Sequence, residues 1–160
     1  MIKLDARDID ILRVLSREGR VSKARLAEAI GLSPTPAWQR FKKLEKAGLI
    51  EGYRAEINLR KLGPSVTVFV AAELADHTQA SFQTFEASLQ AHEEIVGCWA
   101  LGGGFDYLLQ IVARDIDAYQ RLIDTLLDAR IGIARYFTYI VTKQVKGGPL
   151  PLGLLLDQMD

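Results

Sequence analysis

The chain has 160 residues, 49% hydrophobic and 25% charged, with 20 Lys and Arg balanced by 20 Asp and Glu. That length allows one medium domain or two small ones, and the composition supports a buried core. The sequence holds no apolar run near the ~20 residues of a membrane span, no signal-peptide pattern in Met1–Asp5, and only Cys98, which excludes an internal disulfide or a Cys-based zinc cluster.

The two histidines, His77 and His92, are too few for a His-rich metal site, so neither a metal nor a cofactor is expected, and the expected location is the cytoplasm. The charge is unevenly placed. Residues 1–60 hold 13 Lys and Arg against 8 Asp and Glu, a net +5, and the remainder carries −5. A basic half joined to an acidic half suits a chain of which only one half meets a polyanion.

Three short helices are predicted first. One runs from about Asp5 to Ser16, with Ile9 and Leu12 on one face and Asp5 and Asp8 in the first turn, where carboxylates suit the backbone dipoles. Gly19 ends it. The second starts at Ser22, a favourable N-cap, and stops at Gly31. The third starts at Ser33, with Pro34 and Pro36 among the first positions, whose N–H groups lack helical partners. The short turn Gly31-Leu32-Ser33 gives a helix-turn-helix.

On a helical wheel Ala37, Phe41 and Leu44 cluster as a core stripe, while Thr35, Gln39, Lys42, Lys43 and Lys46 fall opposite, with Arg40 at the edge. Such a helix fits the DNA major groove with its N-terminal part nearest the bases. The candidate DNA-binding residues are Ser33, Thr35, Pro36, Gln39, Arg40, Lys42 and Lys43. Thr35 and Gln39 are expected to read bases, and Arg40, Lys42 and Lys43 to meet phosphates. Trp38 lies between core and surface, open to packing or to a DNA contact. Residues 48–58 read as an extended wing framed by Ile50 and Ile57, and residues 61–65, with Gly63-Pro64, as a linker between a DNA-binding domain (1–60) and a second domain (66–160).

From Val66 the period changes to alternation. A strand at 66–71, a helix carrying Phe82, Phe85 and Leu89, strands at 95–101 and 107–112, a helix capped by Asp115, and a long strand at 131–145 give β-α-β-β-α-β, a ferredoxin-like order. The fold class is therefore α+β. Two helices cover one sheet face. The other is expected to carry Cys98, Leu109 and Ile140 and to be buried in a homodimer. Cys98 reads as a buried strand residue. The tail from Gly147 is expected to be extended and, through Leu152, Leu154, Leu155 and Leu156, to dock on something. Gly102-Gly103-Gly104 with Asp106 fits a tight hairpin as well as a ligand cradle.

Several of these motifs together resemble the Lrp/AsnC, or feast/famine, regulators. They are Leu4-Asp5-x-x-Asp8-x-x-Ile11-Leu12, then Leu26-Ala27-x-x-x-Gly31-Leu32-Ser33-Pro34-Thr35-Pro36-x-Trp38-x-Arg40-x-x-x-Leu44-Glu45, and later Gly102-x-x-x-Asp106-Tyr107-Leu108-Leu109 and Lys143-x-Val145-Lys146. The resemblance covers nearly the whole chain. It implies a sequence-specific regulator of amino-acid metabolism or transport genes that binds double-stranded DNA. It also implies dimers that assemble further, frequently into an octamer of four dimers, and an amino-acid effector. Carried over, the effector positions are Leu101, Gly102, Gly103, Gly104, Asp106 and Thr138. No Ser-His-Asp set or metal-ligand spacing supports an enzyme.

Overall fold

The structure is a computed structural model and describes residues 3–156. Its helices are α1 (Ala6–Glu18), α2 (Lys23–Ile30), α3 (Pro34–Lys46), α4 (Gln79–Leu89), α5 (Ile116–Asp128) and α6 (Leu152–Leu156). Its strands are β1 (Val66–Leu74), β2 (Ile95–Ala100), β3 (Tyr107–Ala113) and β4 (Ile133–Ile140), with one 3-10 turn at Leu59–Lys61. The chain divides into two compact units. One runs to Ile57 and takes in the segment from Val145 onward; the other is Asn58–Gln144.

In the first unit each helix start has a local cause. Asp5 accepts from the Asp8 N–H at 3.0 Å, and the Asp8 carboxylate accepts from the Asp5 N–H at 3.3 Å. This reciprocal box satisfies two donors that a helix N-terminus otherwise leaves open. Ser22 caps α2 by accepting from the Arg25 N–H. Gly31 ends α2 in the left-handed conformation at φ 64°, which glycine adopts without a Cβ clash. Leu26, Ala27 and Ile30 of α2 then close over Ile11 and Leu15 of α1 and Ala37, Phe41 and Leu44 of α3.

Arg40 ties α3 to α1. Its Nη1 donates to Asp5 Oδ2 at 2.6 Å and to Asp8 Oδ1 at 2.9 Å. The Asp8 side chain is only 3% exposed, so Arg40 is its charge partner as well as a brace. The Asp8 N–H first, then Arg40, hold the Asp5 carboxyl below its ordinary range.

Three sequence expectations change here. The wing, read as an extended segment, joins no sheet: residues 50–58 carry no regular secondary structure, because the unit supplies no neighbouring strand to complete a ladder. The tail is not wholly extended. It forms α6, which packs in the same unit as α1, and a Cβ on Gly153 would stand 2.9 Å from the Arg13 guanidinium. The side chains of Leu155 and Leu156, both expected to dock, lie outside the described ones. The last strand ends at Ile140, since Val141 donates to Thr67 O and β1, its pairing partner, begins one residue earlier.

The second unit is an antiparallel sheet in the order β2-β3-β1-β4. One face packs on α4 and α5 through Val68, Val70, Ala72, Leu109, Ile111, Phe85, Tyr119, Ile123 and Leu126. The register pairs Cys98 with Leu109, Leu109 with Val70, and Val68 with Ile140. Cys98, Leu109 and Ile140 therefore share the helix-covered face, against the sequence expectation. Leu109 is buried in the core, while Cys98 and Ile140 stay exposed because they sit on the two edge strands. The uncovered face carries Phe69, Ala71, Trp99, Leu108, Phe137 and Tyr139.

Arg40→Ala is expected to lower the thermal midpoint of the first unit, because Asp8 is left as a buried charge without its partner. The depressed Asp5 value adds a pH signature. Its contribution is present above the ordinary carboxylate range and is lost as pH falls through the lowered value. Melts followed by circular dichroism should show this acid loss in the wild type and a smaller one in Arg40→Ala.

Candidate DNA interface and effector site

Burial of Ala37, Phe41 and Leu44 turns the opposite side of α3 outward. Ser33, Thr35, Pro36, Gln39, Lys42 and Lys43 are all exposed, and Arg40 is half-buried. The sequence-derived set thus lies on the first three turns of one helix. Ser33 makes no capping hydrogen bond through its side chain, so its hydroxyl keeps its donor and acceptor capacity. Neither α2 nor α3 has an acidic residue in its first turn, whereas α1 carries Asp8 there.

The basic residues are not equivalent. Arg40 is committed to Asp5 and Asp8. Lys42 pairs with Glu45 at 2.6 Å, and Glu45 also accepts from the Tyr53 hydroxyl. Lys43 has no carboxylate partner among the described residues, so it keeps its full charge for an outside anion. Trp38 resolves the open reading toward packing: its ring stacks on Phe41 with centroids 4.5 Å apart. It also does something the sequence reading missed. The Lys23 ammonium from α2 lies 4.8 Å from the Trp38 ring centroid, and the Lys42 ammonium 5.3 Å. Such cation–π contacts contribute about 0.5–1 kcal/mol at exposed sites. The signal was available in principle as a lysine at the first position of a helix, where backbone dipoles disfavour a cation by about 0.3–1 kcal/mol.

The second set gathers around the β2–β3 turn. Leu101, Gly102, Gly103 and Gly104 are exposed, and a Cβ on any of the three glycines would meet nothing within 4 Å. The glycines are therefore not required by crowding within the chain. Asp106 anchors the turn. Its N–H donates to Ala72 O at 3.0 Å, and its carbonyl accepts from the Leu101 N–H at 2.8 Å. Its carboxylate accepts from the Leu74 N–H at 2.8 Å and lies 3.0 Å from His77 Nε2. His77 is thus a neighbour of this site that the sequence analysis left unassigned.

Thr138 stands apart from this turn. It sits on β4, separated from β3 by β1, on the helix-covered side, where its hydroxyl pairs with that of Tyr119. The turn reaches β4 instead through the uncovered face, where Phe105 packs edge-on against Phe137 at 5.3 Å. Within one chain the six effector positions form a cluster of five plus one outlier. Cys98 is exposed rather than buried, yet partial desolvation and then Glu86 push its thiol up to about 11, so it holds its proton at neutral pH. Among the described residues no group of three or more His, Cys, Asp or Glu can hold a metal ion.

Residues 4–51 match the profile of a winged helix-turn-helix DNA-binding domain, and residues 67–151 that of the Lrp/AsnC ligand binding domain. The transcriptional regulatory protein DoeX of Halomonas elongata is 52% identical over 145 residues, covering 91% of this chain and 92% of that protein. The leucine-responsive regulatory protein of Haemophilus influenzae is 42% identical, covering 89% and 86%. Among solved structures, a Neisseria meningitidis transcriptional regulator in complex with L-Met superposes with a TM-score of 0.89 at 32% identity, covering 96% of this chain and all of that one. An AsnC family regulator from Agrobacterium tumefaciens gives 0.87 at 33%, with the same coverage. The match spans both halves and the order of their elements: this chain belongs to the Lrp/AsnC family of transcriptional regulators.

Proposed function

We propose that this regulator binds operator DNA through α3 and controls amino-acid metabolism or transport genes in response to an amino acid bound near the β2–β3 turn. The exposed stripe Thr35–Gln39–Lys43 is the observation that carries the DNA half. Side chains of these types, on the N-terminal turns of a helix, match the donors and acceptors of the major groove, and Lys43 supplies charge for the backbone. Arg40 serves here as the brace that sets the angle of α3 more than as a phosphate contact.

The effector half rests on the turn. Three exposed glycines let backbone N–H groups approach a carboxylate, and Asp106 offers an acceptor to an ammonium. The L-Met complex of the Neisseria protein supports an amino acid as the ligand class. Thr138, facing the helices, joins such a site through another subunit or a rearrangement of β4. The reading calls for no prosthetic group.

The uncovered sheet face supports a homodimer. Trp99 and Phe137 are each nearly half exposed there although large and apolar, and a second copy of the same face is the economical cover. Assembly of four such dimers into an octamer follows the family pattern. No described helix is long and apolar enough to cross a membrane; the DNA-binding role is what supports a cytoplasmic location.

A thermal-shift screen against the twenty amino acids is expected to raise the midpoint for one or a few of them, as a ligand of the native state must. Asp106→Asn keeps an acceptor for the Leu74 N–H but loses the charge. It should fold, bind DNA and give no shift with the amino acid that stabilises the wild type; a persisting shift places the ammonium elsewhere. Phe137→Glu is expected to convert dimers to monomers in sedimentation, and an unchanged mass removes the sheet face as the interface.

A further inference from the structure

The two flanks of α3 differ in charge. On the α1 side Arg40 is neutralised by two carboxylates, Asp5 and Asp8. On the α2 side stand Trp38 and Lys23. Trp38 comes three residues after Thr35 and four before Lys42, so these three form one ridge on adjoining turns. The Lys23 ammonium lies over the Trp38 ring beside that ridge, at the border of the exposed stripe.

For the stability of the unit, the ring contact does little more than offset the cost of a lysine at this place. Lys23 is the first residue of α2, the end where a helix disfavours a cation. Among the described residues it has no carboxylate partner, whereas Arg7, Arg13, Arg25, Arg40 and Lys42 each have one. The partner it does have is an indole face. An aromatic ring restrains an ammonium without cancelling its charge or occupying its three N–H donors. A lysine held that way is ordered in advance and still competent to bind an anion.

We propose that Lys23 is a DNA phosphate contact and that Trp38 is the residue that positions it, so that a backbone strand of the duplex runs along the α2 flank of α3. The proposal rests on α3 being the DNA-reading helix. It separates the roles of two residues that sequence alone leaves unassigned: the lysine supplies the charge, and the tryptophan supplies its direction.

The test is a titration of the intact protein with a short duplex of arbitrary sequence at several salt concentrations. Lys23→Gln is expected to reduce the slope of log affinity against log salt by about 0.9 per chain. Trp38→Phe, which keeps an aromatic face, should bind nearly as the wild type. Trp38→Leu should lose about fivefold, and in the Lys23→Gln background it should cost clearly less, any remainder reflecting Lys42, whose ammonium also faces the ring. Circular dichroism melts check that each variant is folded, and Lys23→Gln, a surface change, keeps the test decisive if Trp38→Leu is not. An unchanged slope in Lys23→Gln, or single losses that simply add, overturns the proposal while leaving α3 as the reading helix. Absence of salt-dependent binding by the wild type overturns both.

Discussion

A helix with a narrow buried stripe has no choice about what it shows to solvent. In α3 that stripe is Ala37, Phe41 and Leu44, and their burial against α1 and α2 turns Thr35, Gln39 and Lys43 outward together. The stripe sets the rotation of α3 about its axis. Two further contacts restrain its flanks: the Arg40 bridge to Asp5 and Asp8 on one side, and the Trp38 ring under Lys23 on the other. The first is a charge-assisted pair that engages a buried carboxylate, and the second is a weaker contact that leaves its cation active. An interface that must meet DNA in one register needs such lateral restraint, because a helix free to roll by one residue, ~100°, presents a different set of side chains.

The second unit is governed by an asymmetry of cover. Two helices on one side of a four-stranded sheet leave the other side to solvent or to a partner. That side is aromatic, and Gly97 gives it shape: a Cβ there would stand 2.6 Å from the Trp99 ring. Trp99 therefore lies flat over the glycine instead of standing away from the sheet. The β2–β3 turn is stitched to β1 by Asp106 and to β4 by Phe105 against Phe137. The β2–β3 turn and the uncovered face share this aromatic pair, so a ligand at the proposed effector site would bear directly on the proposed dimer face.

Much of this was legible in the sequence, for a stated reason in each case. Caps at Ser22 and Asp115 and the stop at Gly31 are local chemistry, read from residues three or four apart. The core stripe of α3 follows from periodicity alone. What was misread depends on distance or on parity. Alternation marks 107–113 as a strand but does not say which of its two sets meets the helices, and Leu109 was placed on the wrong side for that reason. The length of β4 is set by where β1 begins, far away in the chain. The bridge from Arg40 to Asp5 and Asp8, 35 and 32 residues earlier, could not be read from the helix that carries it. Lys23 and Trp38, 15 residues apart on different helices, meet only once the turn between them is folded. The C-terminal Leu-rich segment signalled docking, and Gly153 beside Arg13 shows it docked next to α1, as a helix and not as the extended tail expected.

The central claim is that the exposed stripe of α3 reads base pairs. The most direct measurement is selection of bound sequences from a random pool of duplex DNA by the wild type and by Gln39→Ala, both confirmed folded. A base-reading Gln39 predicts that one position per half-site loses its preference, at about 1–3 kcal/mol, while the rest of the selected motif and the salt dependence persist. Identical motifs from the two proteins would contradict a base-reading role for this stripe, leaving α3 a surface helix that meets only the phosphate backbone.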